Sequence, residues 1–122
     1  MAAQRNVNYA PVIASEGELT NPLDEALVAD TGALPAGQYE VFALVGASAI
    51  AQIKMERRNR ANSANVGVVV GGLYVPANQT VPIAWTYEIM RDERIRLLLD
   101  DAVAAGTVWG SICAKRIGDP SS

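Results

Sequence analysis

TVPIAWTYEIMR, Thr80 to Arg91, is the stretch whose reading decides the fold. Val81, Ile83, Trp85, Tyr87 and Ile89 fall on one side of an extended chain, and Ala84, Thr86 and Glu88 on the other. Successive strand side chains point to opposite faces, so this alternation makes one dry face and one wetter face. Glu93–Asp100 repeats it, with Ile95, Leu97 and Leu99 against Arg94, Arg96 and Asp100. Gly106–Ile117 follows, with Val108, Ile112 and Ala114 against Trp109, Ser111, Cys113 and Lys115. Asp92-Glu93 joins the first two and has room only for a tight turn. The competing reading is one helix from Arg91 to Ala104, with i,i+4 pairs among Glu93, Arg94, Arg96 and Asp100. The alternation Ile95-Arg96-Leu97 after a turn favours strand, loop, strand.

Upstream of this block the same period recurs. Leu34-Pro35-Ala36-Gly37 is turn chemistry, since proline fixes φ and glycine tolerates positive φ. Gln38–Gly46 then places Tyr39, Val41, Ala43 and Val45 on one face and Phe42 and Leu44 on the other. Apolar residues on both faces indicate a central strand or one covered by a neighbouring chain. Ala49–Arg57 turns Ala51, Ile53 and Met55 inward and Gln52, Lys54 and Glu56 outward. Arg57 to Asn65 reads as a polar loop. Val66–Pro76 returns to strand, bent at Gly71-Gly72, and Pro76-Ala77-Asn78-Gln79 is a turn. Six strands are thus expected, with one or two more before Leu34. The fold class is all-β: an antiparallel, jelly-roll-like β-sandwich over 34–118. Residues 1–33 form an extended N-terminal arm with one or two short elements, and 119–122 a polar tail. An irregular arm stays ordered only where something holds it, and either a neighbouring subunit or the domain itself, wrapping its own arm, would do so.

Composition narrows the function classes. At 122 residues the chain is one domain that can bury a core without disulfide or metal. A net charge of −3 gives no global attraction for nucleic acid or an anionic membrane. The N-terminus lacks the apolar core of a signal peptide, and Val66–Ala77 is too short and glycine-rich to span a bilayer. The expectation is a protein made in the cytoplasm. Asn78-Gln79-Thr80 matches a glycosylation sequon, which has no meaning without secretion. The lone Cys113 reads as a small, partly buried residue.

The sequence contains no histidine. That removes Ser-His-Asp and Cys-His catalysis and most zinc or iron centres. No phosphate-binding loop is present. Asp92/Glu93 and Asp100/Asp101 are carboxylate pairs, as acid–base or calcium chemistry would need, but adjacent residues point apart and both sit where turns fall. An enzyme would need a pocket that gathers groups such as Asp30 and Asp100. No catalytic, cofactor or metal residues are assigned. Trp85 and Tyr87 share the dry face of their strand, so they read as core. Trp109 lies opposite Val108 and Ile112 and is the best surface aromatic. Arg57, Arg58 and Arg60, with Lys54, form the only basic cluster, which reads first as a solvated turn that keeps a strand end soluble and otherwise as a contact for an acidic protein patch.

The runs Leu34–Val41 (LPAGQYEV), Tyr74–Thr80 (YVPANQT), Glu93–Leu97 (ERIRL) and Gly106–Ile112 (GTVWGSI) give the chain a resemblance. It is similar in pattern to the small β-sandwich virion proteins of tailed bacteriophages. The resemblance covers about Leu34 to Ile117. It implies a non-enzymatic capsid decoration or cement protein, usually trimeric, whose arms grip neighbouring subunits, and it supplies no catalytic residues. The expected partners are further copies of the chain, with a trimer favoured, and a major capsid or other virion protein. The expected location is the virion, assembled in the host cytoplasm. The interface candidates are Val7, Tyr9, Val12 and Ile13 in the arm, then Arg57, Arg58, Arg60 and Trp109. The alternative is a carbohydrate- or receptor-binding sandwich of the fibre type. An open face bearing Trp85, Tyr87 or Trp109 would favour it.

Overall fold

A computed structural model describes residues 12–59, 65–89 and 93–119. They form eight strands: β1 (Val12–Thr20), β2 (Leu27–Asp30), β3 (Gly37–Ala47), β4 (Ala51–Asn59), β5 (Asn65–Val75), β6 (Gln79–Ile89), β7 (Glu93–Leu99) and β8 (Thr107–Gly118). No helix occurs among the described residues, so the Arg91–Ala104 helix reading fails. The strands build two antiparallel four-stranded sheets. One has the order β1-β8-β3-β6, the other β2-β7-β4-β5. Only the β4–β5 connection stays within a sheet; every other connection passes from one sheet to the other. This is a jelly-roll-like sandwich, as the alternation of the sequence required.

Two sequence expectations change. β6 and β7 are not neighbours: they lie in different sheets, so the chain crosses from one sheet to the other between them instead of pairing them as a hairpin. β7 instead pairs with β4, Leu97 opposite Met55. The second change concerns the arm. Residues 12–33 contribute one strand to each sheet, β1 along β8 from Val12↔Lys115 to Thr20↔Thr107, and β2 along β7. The sandwich therefore draws on the chain from Val12 rather than from Leu34. Val7, Tyr9 and Arg60 lie outside the described residues.

The core is what alternation makes it. Tyr39, Val41, Ala43 and Val45 of β3, Ile53 and Met55 of β4, Ile95, Leu97 and Leu99 of β7, and Val108, Ile112 and Ala114 of β8 meet between the sheets. Each fully buried aliphatic of this size contributes about 1.5–3 kcal/mol against exposure. Trp85 and Tyr87 pack against this cluster from β6, half-buried, as their shared face implied. Two polar groups at the core's edge are satisfied locally, whereas Trp85 Nε1 and the Tyr87 hydroxyl are buried without a hydrogen-bond partner among the described residues. The Tyr39 hydroxyl donates to the Pro35 carbonyl at 2.8 Å, and buried Thr31 accepts from the Ile95 N–H at 3.1 Å. The expected Pro76–Gln79 turn closes with Asn78 in the left-handed region (φ 60), which asparagine tolerates better than most residues.

Candidate interaction surface

The two outer faces of the sandwich are built differently. On the β2-β7-β4-β5 sheet the outward positions of β4 and β7 are charged except for Gln52 and the buried Leu98, and each charge has a partner. Glu56, only 5% exposed, lies 3.7 Å from Arg58 and 3.5 Å from Arg96. Arg94 donates to Asp30 at 3.0 Å. Lys54 pairs with Glu25 and lies 3.8 Å from Asp100. The hydrogen bond to Glu25 is the largest influence on the Lys54 ammonium and raises it above its ordinary value of 10.5, against a smaller opposing effect of burial.

The arginines expected in a polar loop belong to this sheet instead. β4 continues to Asn59, so Arg57 and Arg58 are strand residues. Arg57 shares the inward period of Ile53 and Met55. It sits at the end of the sandwich, where its guanidinium donates to both Glu93 oxygens at 3.1 and 3.2 Å and lies 4.8 Å from the centre of the Tyr87 ring. Such a forked, stacked contact uses the planar guanidinium fully. The sequence did not show this, because Arg57 and Glu93 are neighbours only through the β4–β7 pairing.

The carboxylate pairs do not converge. Glu93 is held by Arg57, Asp100 lies beside Lys54, Asp30 binds Arg94, and Asp101 accepts from the Ala102 N–H at 2.8 Å. Asp92 lies outside the described residues. Among the described residues no three acidic or thiol side chains gather as a metal would need, and no helix is long and apolar enough to cross a membrane.

The outer face of the β1-β8-β3-β6 sheet is the opposite case. Register places Trp109 beside Gly46 and Thr80, Ser111 beside Leu44 and Pro82, and Cys113 beside Phe42 and Ala84. The middle of the face is therefore uncharged. Phe42, Leu44, Trp109 and Ile117 are 44%, 38%, 36% and 48% exposed. Charged groups stand around them: Glu16 and Glu18 on the edge strand β1, and Glu40, Glu88 and Lys115 towards the far end. An apolar centre with a polar rim is the anatomy of a protein contact. Four strands about 4.8 Å apart and eleven residues at about 3.4 Å each give a face of roughly 700 Å². That is close to the roughly 800 Å² per partner of a standard interface.

Trp109 has a specific seat. A methyl group at Gly46 would lie 2.5 Å from Trp109 Cε2 and 2.7 Å from Cζ2, so the indole rests directly on the glycine. Any side chain at position 46 would lift it. Beside it runs an open cleft of about 710 Å³, lined by Glu16, Glu18, Leu44, Thr80, Trp109 and Ser111. Of the other interface candidates, Val12 and Ile13 begin β1 opposite Lys115 and Ala114.

No protein-family model matches the chain, and no curated protein matches its sequence. Solved structures do match in fold. The globular domain of a zebrafish complement 1qA protein superposes with a TM-score of 0.58 at 6% identity, covering 89% of this chain and 98% of that one. Eiger TNF from S. frugiperda gives 0.58 at 13% identity, covering 92% and 96%. The CBM22-1 xylan-binding domain of Paenibacillus barcinonensis Xyn10C gives 0.54 at 14% identity, covering 93% and 97%. At these identities the likeness is one of fold, and it establishes that this chain is a jelly-roll-type β-sandwich.

Proposed function

We propose that this chain is a non-enzymatic structural protein that works by surface contact, as a homo-oligomer. Its setting is the virion, as a decoration or cement protein on a major capsid protein, with three copies the favoured assembly. One observation carries the reading. Three large apolar side chains, Phe42, Leu44 and Trp109, are exposed together on one sheet face whose middle has no charge. Monomeric proteins rarely leave such a surface open. Repeated over symmetric copies, a modest contact of this kind becomes a strong one.

The test is the mass of the full chain in solution by light scattering, across a dilution series. An oligomer that dissociates when Phe42 is replaced by glutamate supports the reading. A monomer at every concentration overturns it.

Carbohydrate binding is a second reading, favoured by the seat of Trp109. A flat indole braced on Gly46, with Glu16, Glu18, Ser111 and Thr80 in the adjoining cleft, offers a stacking surface and hydroxyl partners. Trp85 and Tyr87 add nothing to it, since both turn towards the core. Glycan-array binding by the full chain, abolished in Trp109→Ala, would replace the first reading with this one.

A further inference from the structure

We infer that the cleft beside Trp109 receives an arginine side chain of a partner protein, its guanidinium stacked on the indole and held by Glu16 and Glu18. The inference rests on the surface-contact reading above and adds the chemistry of what meets that surface.

Strand register assembles the site. Trp109 and Ser111 point outward from β8, and β1 sets Glu18 opposite the first and Glu16 opposite the second. Directly opposed side chains stand about 5 Å apart at Cβ, so an indole and two carboxylates share one stretch of surface. All three line the open cleft of about 710 Å³, together with Leu44, Thr80 and Ser111. Both glutamates are exposed, and neither has an ion-pair partner among the described residues. Lys115, the described cation of this face, stands opposite Val12, at the other end of β1 from Glu18.

The cleft lies towards the end of the sandwich where β1 and β3 finish and β6 and β8 begin, at Thr20, Ala47, Gln79 and Thr107. Every loop at that end is described. The segments outside the described residues join the strands at the opposite end, at Val12, Asn59, Asn65, Ile89 and Glu93.

The chain itself shows what completes such a combination. At that opposite end Arg57 donates to both Glu93 oxygens at 3.1 and 3.2 Å and lies 4.8 Å from the centre of the Tyr87 ring. Aromatic, carboxylate and guanidinium are all present there. The Trp109 cleft has the aromatic and two carboxylates and lacks the cation. An indole is the best ring for a cation to sit on. Arginine suits it better than lysine, because a planar guanidinium stacks flat and still donates from its edge to carboxylates. Leu44 offers apolar surface to the methylene stem of such a side chain. Calcium fits poorly: it takes about six to eight oxygen ligands, and an indole and a leucine hold much of this lining. The exposed apolar surface continues from Leu44 to Phe42, so the arginine would arrive on a protein surface rather than as a free amino acid. The described arginines of a second copy are already engaged. Arg57 is tied to Glu93, Arg94 to Asp30 and Arg116 to Asp119, and Arg58 and Arg96 flank Glu56.

The experiment titrates the full chain with a blocked hexa-arginine peptide by calorimetry, in about 0.15 M salt, where charges beyond about 8 Å are screened. Hexalysine and hexa-citrulline are the comparison peptides; the second is planar but neutral. The expected result is binding of hexa-arginine, binding of hexalysine weaker by about threefold or more, and none of hexa-citrulline. Trp109→Ala should weaken hexa-arginine binding about fivefold or more, and Glu16→Gln with Glu18→Gln about tenfold or more. Asp24→Asn with Asp101→Asn, at two exposed acids on loops outside the cleft, should leave it unchanged. No binding of hexa-arginine overturns the inference. So does binding that survives Trp109→Ala, or that falls equally in the Asp24 and Asp101 variant, since either reports diffuse charge attraction. Light scattering alongside separates the two readings. A monomer that still binds hexa-arginine through Trp109 supports the cleft and removes the homo-oligomer reading, a separate failure. An oligomer that hexa-arginine splits would place a second copy's own arginine in the cleft and overturn the assignment to a partner protein.

Discussion

The outer face of β2-β7-β4-β5 and the outer face of β1-β8-β3-β6 start from the same alternation and end as opposites. On the first, outward positions hold Lys54, Glu56, Arg58, Arg94 and Arg96, each matched to a counter-charge within the chain. On the second, the central outward positions hold Phe42, Leu44, Cys113 and Trp109. On the first face the charges are satisfied within the chain, and its exposed apolar groups, Leu27 and Tyr74, stand on its outer strands β2 and β5. The second is left with apolar area that none of the other described residues covers. A sandwich shows where it meets other molecules by which face its own residues leave unfinished.

The contrast breaks most directly on the apolar side. Phe42→Glu combined with Leu44→Glu is expected to weaken self-association by about a hundredfold or more, since both groups stand at the centre of the contact. Both side chains point outward, so chemical denaturation of the monomer should change by less than about 0.5 kcal/mol. A large loss of monomer stability with unchanged assembly would reverse the roles given to the two faces.

The charged side sharpens it next. Glu56→Ala leaves the Arg58 and Arg96 guanidinium groups without the carboxylate between them. The expected cost is about 2 kcal/mol in denaturant unfolding, below the usual figure for a buried pair because both arginines reach solvent. Assembly measured by light scattering should not change beyond the effect of that lost stability.

The smallest effect is in the alkaline limb. Lys54 is raised by Glu25, so its contribution is fully present below the ordinary lysine value of 10.5 and is lost as pH climbs through its higher folded value. Unfolding free energy should therefore be level across neutral pH and fall above that range. Lys54→Met should flatten this decline by less than about 1 kcal/mol, given the exposure of Glu25. A decline that survives the substitution would assign it to another group.

Much of this was legible in the sequence, because period-two patterning is a local signal. The dry faces of β3, β6, β7 and β8 could be read from Tyr39, Ile83, Leu97 and Ile112 and their neighbours. So could the outward place of Trp109 and the apolar outer face of β3. Partners were not legible. Nothing local tells β6 to leave β7 for the other sheet, or sets Arg57 against Glu93 and Tyr87; both follow from long-range pairing. Polar composition also suggested a loop from Arg57, whereas β4 carries through to Asn59, since an inward arginine can be satisfied at the open end of a sandwich. The seat of Trp109 on Gly46 had only a weak trace, a glycine inside an otherwise apolar strand, which often marks a close approach.

β8 has its place between β1 and β3, in the middle of its sheet, although it is the last strand in the chain. During synthesis, at roughly 5–20 residues per second, β1 waits for a partner until residues 107–118 have been made. Its neighbour in space is separated from it by almost the whole sequence. Loop closure of that length delays folding, so Phe42 and Leu44 are exposed on a chain that cannot yet close. The same surfaces that would join finished copies are therefore available to unfinished ones. Crowded ribosomes on one message are where this protein would first meet itself.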